Sequence, residues 1–178
     1  MEKTKPIADV LTSLRAMIGV LIFWEGFCCG ASALGAASLL LLLAWVTDLL
    51  DGPLARRDPR HIQTWIGEHD LTADILVALG VWLFLGESRL VYPSVVAGYL
   101  IICAALLFLT RSQRLGWAVQ AIPYGSFLLV DLTNSQFRFY GILLVCWVLT
   151  VVVVTWPRFP QKTLPEFLDG MRNLFGKR

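Results

Sequence analysis

The sequence predicts an all-α fold: a polytopic membrane protein of six transmembrane helices with amphipathic segments at the cytoplasmic surface. Hydrophobic residues fill 57% of the 178 positions and the mean hydropathy is +0.67, against roughly 45–50% apolar content in soluble domains. The apolar residues gather into runs of about 20, the length at which a helix crosses a bilayer. Polar breaks between the runs are short, so the chain has room for a single membrane domain, residues 1–178.

Residues 1–9, with Lys3 and Lys5, read as an interfacial segment, and residues 10–157 as the bundle. The spans are expected at Val10–Phe27, Leu34–Ala55, Asp70–Leu85, Val91–Leu109, Leu115–Leu132 and Phe139–Trp156. The small-residue stretch after the first span invites a signal-peptide reading, but Arg15 within the span and Glu25 shortly before that stretch speak against cleavage. Residues 158–178 read as an amphipathic helix. Thr163 and Glu166 form a capping pair around Pro165, and Leu164, Phe167, Leu168, Met171, Leu174 and Phe175 fall on one face. The cysteines Cys28, Cys29, Cys103 and Cys146 form no CxxC pair and read as packing residues. His61 and His69 have no partner at metal-ligand spacing, which disfavours zinc.

Basic residues orient the bundle. Lys3, Lys5, Arg56, Arg57, Arg60, Arg111, Arg114, Arg158, Lys162, Arg172, Lys177 and Arg178 fall on one side of these spans, and Arg89 and Arg138 on the other. Lys and Arg are retained in the cytoplasm, so both termini are expected there, as suits a bacterial inner (cytoplasmic) membrane. A net charge of +2 gives no footing for nucleic-acid binding.

The charge that matters lies between Thr47 and Asp74. Asp48 and Asp51 close the second span, and Asp70 and Asp74 open the third. Spacings of i,i+3 and i,i+4 put each pair on one helix face, so all four carboxylates can converge across one hairpin. Acids within a membrane are costly and usually serve a function, and a cluster of them repels itself. A divalent cation resolves both problems, and an all-oxygen donor set favours magnesium, manganese or calcium. Magnesium keeps coordination positions open for water and substrate phosphates. Gly52 and Ala55 permit close approach to the helix, and Arg56 offers a bidentate phosphate donor.

The segment Asp48-Leu-Leu-Asp51-Gly52-Pro-Leu-Ala55-Arg56, followed by Asp70-Leu-Thr-Ala-Asp74, resembles the signature of the CDP-alcohol phosphotransferase family, DxxDGxxAR followed by GxxxDxxxD. The first half matches in full. In the second half Ile66 holds the usual glycine position, with Gly67 beside it, and the interval from Arg56 to Asp70 is one residue longer than usual.

The resemblance implies transfer of a substituted phosphate from a CDP-linked lipid donor to a small alcohol acceptor, with release of CMP. It implies that Asp48, Asp51, Asp70 and Asp74 hold one or two Mg2+ or Mn2+ ions. Asp74 is then also the candidate catalytic base, and Gly52, Ala55, Arg56 and, with Ile66 in the usual place, Gly67 line the CDP site. The expected partners are the donor, the acceptor, membrane lipid and, by resemblance, a second copy in a homodimer. Two other readings stay open: a catalytically inactive member that binds nucleotide or lipid, and a cation transporter using the carboxylate cluster.

Overall fold

The computed structural model describes residues 5–57, 70–110, 113–156 and Pro165, and side chains within those ranges except at 5, 51–57, 110 and 113–115. Most of the described residues are helical, and no strand occurs among them. The elements are α1 (Lys5–Cys29), a 3-10 turn (Gly30–Ala33), α2 (Leu34–Arg57), α3 (Asp70–Glu87), α4 (Pro93–Thr110), α5 (Gln113–Ala118), α6 (Ala121–Thr133) and α7 (Arg138–Val154). They belong to two compact units, Met1–Pro93 and Ser94–Arg178.

In the first unit α1 packs along both α2 and α3. The chain leaves α1 at Gly30, whose φ of 60° lies in the left-handed region that glycine enters without steric cost. Arg15, early in α1, meets Asp48 near the end of α2, so these two helices run antiparallel. Gly19 faces Leu76 and Val77, and Gly26 faces Phe84, so α1 and α3 run parallel. α3 ends where the amides of Ser88, Arg89 and Val91 bond back to the carbonyls of Phe84, Gly86 and Leu85.

Small residues make the α1–α3 contact. A Cβ placed on Gly19 would lie 2.6 Å from the Leu76 carbonyl oxygen, and one on Gly80 would collide with the Gly19 backbone. Ala8, Ala37, Ala44, Ala73 and Ala78 are also buried. Large apolar side chains of α1, namely Val10, Met17, Val20, Leu21, Trp24 and Phe27, are exposed instead. A soluble core reverses this arrangement; close helix packing through small residues, with bulky side chains turned outward, belongs to a lipid environment. Buried hydroxyls are satisfied within their own helices, Ser38 donating to the Leu34 carbonyl and Thr47 to that of Ala44, as a solvent without hydrogen bonds requires.

Four of the expected spans correspond to single helices with ends shifted by a few residues, and Val10–Phe27 grows into the 25 residues of α1. By length and apolarity the stretch Pro6–Leu50, which contains α1, the turn and most of α2, qualifies to cross a membrane; Pro93–Leu109 and Arg138–Val154 are shorter apolar helices. The fifth expected span, Leu115–Leu132, is not one helix: it breaks between α5 and α6. Proline at 123 explains the break. It has no N–H to offer the Val119 carbonyl four residues back, and its ring crowds that group. The Tyr99 hydroxyl of α4 donates to the Val119 carbonyl instead, and Gln120 Nε2 donates to the Gly116 carbonyl at 3.0 Å. Both partners lie in the second unit, where α6 and α7 also pack together, Gly141 against buried Asp131.

Of the cysteines, only Cys103 is buried; Cys28, Cys29 and Cys146 are exposed free thiols on the apolar surface rather than packing residues. The amphipathic helix expected at 158–178 lies outside the described residues apart from Pro165, which is helical.

Candidate metal centre

Three helices supply the site. α2 carries Asp48 within its last turns. α3 begins at Asp70, whose negative charge suits a helix N-terminus, and presents Asp74 one turn later. α1 delivers Arg15 from the opposite side. The carboxylates of Asp48, Asp70 and Asp74 each offer an oxygen, and these oxygens all lie within 4.8 Å of one another. Two segments separated by more than twenty residues of sequence thus place their acids at one end of the unit, as the helix-face spacing predicts.

Arg15 Nη1 stands among these oxygens, 2.8 Å from Asp48 Oδ1, 3.0 Å from Asp70 Oδ1 and 2.5 Å from Asp74 Oδ1. The guanidinium is buried at 2% side-chain exposure, whereas Asp48 and Asp70 are 51% and 44% exposed and Asp74 13%. The carboxylates therefore close over Arg15 on their inner side and open outward on the other. The glycine contacts between α1 and α3 allow this geometry, because a separation set by larger side chains would draw Arg15 away from Asp70 and Asp74.

Sequence reasoning used Arg15 only as evidence against a signal peptide and missed its place in the site. The signal was present: a cation within an apolar helix requires acidic partners, and Asp48, Asp51, Asp70 and Asp74 form an acidic cluster in the sequence. Asp51, Gly52, Ala55 and Arg56 have helical backbone in the last turns of α2, with Asp51 one turn past Asp48; their side chains are outside the described atoms. Gly67, with Ile66, Glu68 and His69, lies outside the described residues altogether.

The donor set fits a divalent metal. Its oxygens are hard, anionic and close enough to share one ion, and their outward exposure leaves room for further ligands. A sequence model of CDP-alcohol phosphatidyltransferases matches residues 5–156, most of the chain and every helix named above. The chain belongs to the CDP-alcohol phosphatidyltransferase family. Neither the curated proteins nor the solved structures give a match. Membership of this membrane-integral family implies transfer of a phosphatidyl group from a CDP-alcohol to an acceptor and use of a divalent metal, for which the aspartate cluster is a suitable site. The matched region begins at α1, so the helix that carries Arg15 is as much a part of the family domain as the two that carry the aspartates.

Proposed function

We propose that this CDP-alcohol phosphatidyltransferase takes the phosphatidyl group from CDP-diacylglycerol and transfers it to a small alcohol such as glycerol 3-phosphate, releasing CMP. The observation that carries the reading is the convergence of Asp48, Asp70 and Asp74 at one end of the α1–α3 unit, in a chain of this family. Asp48, Asp51, Asp70 and Asp74 hold one or two Mg2+ or Mn2+ ions. Bound there, the metal offsets charge on the pyrophosphate and on departing CMP.

The chain's own groups then have distinct tasks. Gly52, Ala55 and Gly67 leave room for the CDP moiety, and Arg56 donates to its phosphates. Asp74 accepts the proton of the acceptor hydroxyl as that oxygen bonds to the lipid-linked phosphorus. The phosphorus–oxygen bond to CMP breaks, and CMP leaves with its electron pair.

In this reading the protein is one membrane domain of six spans, with α5 and α6 together making the fifth. The termini and the aspartates face the cytoplasm of a bacterial inner membrane, and the enzyme works as a homodimer. The test is CMP release from CDP-diacylglycerol by purified protein with Mn2+ or Mg2+, across a panel of alcohols, with Asp51→Asn as control. Release should require metal and one acceptor and vanish in the variant. Metal-independent release, or none with any acceptor from a folded protein that binds Mn2+, rejects the reading.

A further inference from the structure

We infer that Arg15 is a built-in counter-ion of the carboxylate cluster, a positioning residue that holds Asp48, Asp70 and Asp74 together without metal and that an incoming divalent cation displaces from their oxygens. This rests on the proposed metal role of those aspartates. It assigns a task to a residue outside the aspartate motif.

Three features of the geometry carry it. The first is charge. Carboxylate oxygens within 4.8 Å of one another repel, and the Arg15 guanidinium supplies a positive charge at their shared centre. The second is the manner of contact. All three oxygens approach the same nitrogen, Nη1, which carries only two hydrogens. It donates to Asp70 and Asp74 and meets Asp48 as an ion pair, so three acids draw on one nitrogen. A small dication, which binds several oxygens at once at short range, serves this trio better than one guanidinium nitrogen does. The third is access. Arg15 reaches the cluster from the buried side, while Asp48 and Asp70 are about half exposed on the other, so an ion meets the carboxylates without passing the arginine.

The arrangement gives the metal-free chain a preformed site at the cost of some affinity for the ion, since metal must take the oxygens from a resident cation. The experiment measures Mn2+ binding by the electron paramagnetic resonance signal of free Mn2+, and thermal melting in EDTA and in Mn2+, for the full chain in detergent as wild type, R15Q, R15K and R15Q/D70N. R15Q should bind Mn2+ about tenfold more tightly than wild type, because a like charge next to the ion is gone. It should also melt lower in EDTA and regain most of the loss in Mn2+. R15K, which keeps the charge, should stay near wild type in both. In R15Q/D70N the removal of one carboxylate should raise the EDTA melting temperature above that of R15Q.

A purely structural arginine would lower stability in every variant and would not raise metal affinity. R15Q binding Mn2+ no more tightly than wild type, with wild-type binding intact, overturns the inference and leaves the metal reading standing. Absence of Mn2+ binding in both overturns the metal reading itself. Should R15Q fail to fold, D70N must restore folding; a double variant that also fails sinks the counter-ion role.

Discussion

The two units bury ionisable side chains in different ways. In the first, Arg15 is 1% exposed and lies among carboxylates brought from two other helices. In the second, Asp131 is equally buried, but it lies on α6 against the Gly141 backbone of the adjoining α7, with no cluster of metal-ligating side chains around it among the described residues. Both use a glycine to bring helices close. Among the described residues, the first brings together acids from distant parts of the sequence around one cation. Close packing supplies precision in both units, and chemistry follows where acids from separate helices meet.

The largest effect should come from the cluster itself. Asp74→Asn keeps the shape of the side chain but removes a charge within bonding distance of Arg15 and of the proposed metal and acceptor. CMP release should fall by about a thousandfold or more, on the scale seen when a group acting on transition-state charge is deleted, while the variant still melts cooperatively. Asp131→Asn in the second unit should leave turnover per folded molecule within a few-fold of wild type. Equal losses in the two variants would mean that the contrast between the units is false.

Next in size is the packing that sets the site. In Gly80→Val the new side chain meets the Gly19 backbone, which cannot rotate away as a side-chain tip could. Overpacking of this kind costs about 3 kcal/mol or more, and because the same contact keeps Arg15 close to Asp70 and Asp74, turnover should drop along with the melting temperature. A variant that loses stability but keeps full turnover would separate the glycine contact from the site.

What could be read from the sequence divides along the same line. The α2 and α3 acids were legible because helical periodicity puts residues three or four apart on one face, and because DxxDGxxAR is a dense local signal. The part played by α1 was not legible. Its residues share no motif with the acids, and their meeting depends on Gly19 lying opposite Gly80 and Gly26 opposite Phe84, a pairing between helices that no single-helix pattern encodes. The break in the fifth span was missed for another reason. Val119 to Leu132 is mostly apolar, with Gln120, Ser126 and Asp131 too scattered to break the run, so average hydropathy runs across Pro123, and what makes the break tolerable, Tyr99, lies in a different helix.

That break gives a smaller prediction. Tyr99→Phe removes the donor to the Val119 carbonyl but keeps the ring. An interhelical hydrogen bond in a membrane is worth about 1 kcal/mol, so the melting temperature should fall by a few degrees. CMP release per folded molecule should be unchanged, because the residue serves the second unit's architecture. A marked loss of turnover at unchanged stability would move Tyr99 from scaffold to site.

The smallest effect sharpens the comparison most finely. Gly98 lies inside α4 with open space where a Cβ would be, in contrast with Gly19 and Gly80. Alanine there should be neutral or should raise stability by about 0.5 kcal/mol, through reduced freedom of the unfolded chain and better helix propensity. The same change at Gly80 should be strongly destabilising, so one substitution at two glycines reads the packing of each directly in paired melts. If Gly98→Ala is costly as well, then something beyond the described neighbours of Gly98 packs against α4. The proposed second copy is the first candidate: the cost should then grow as the protein is concentrated toward dimer, and cross-linking through a cysteine placed at exposed Ile101, with Cys28, Cys29 and Cys146 changed to serine, should fall in parallel.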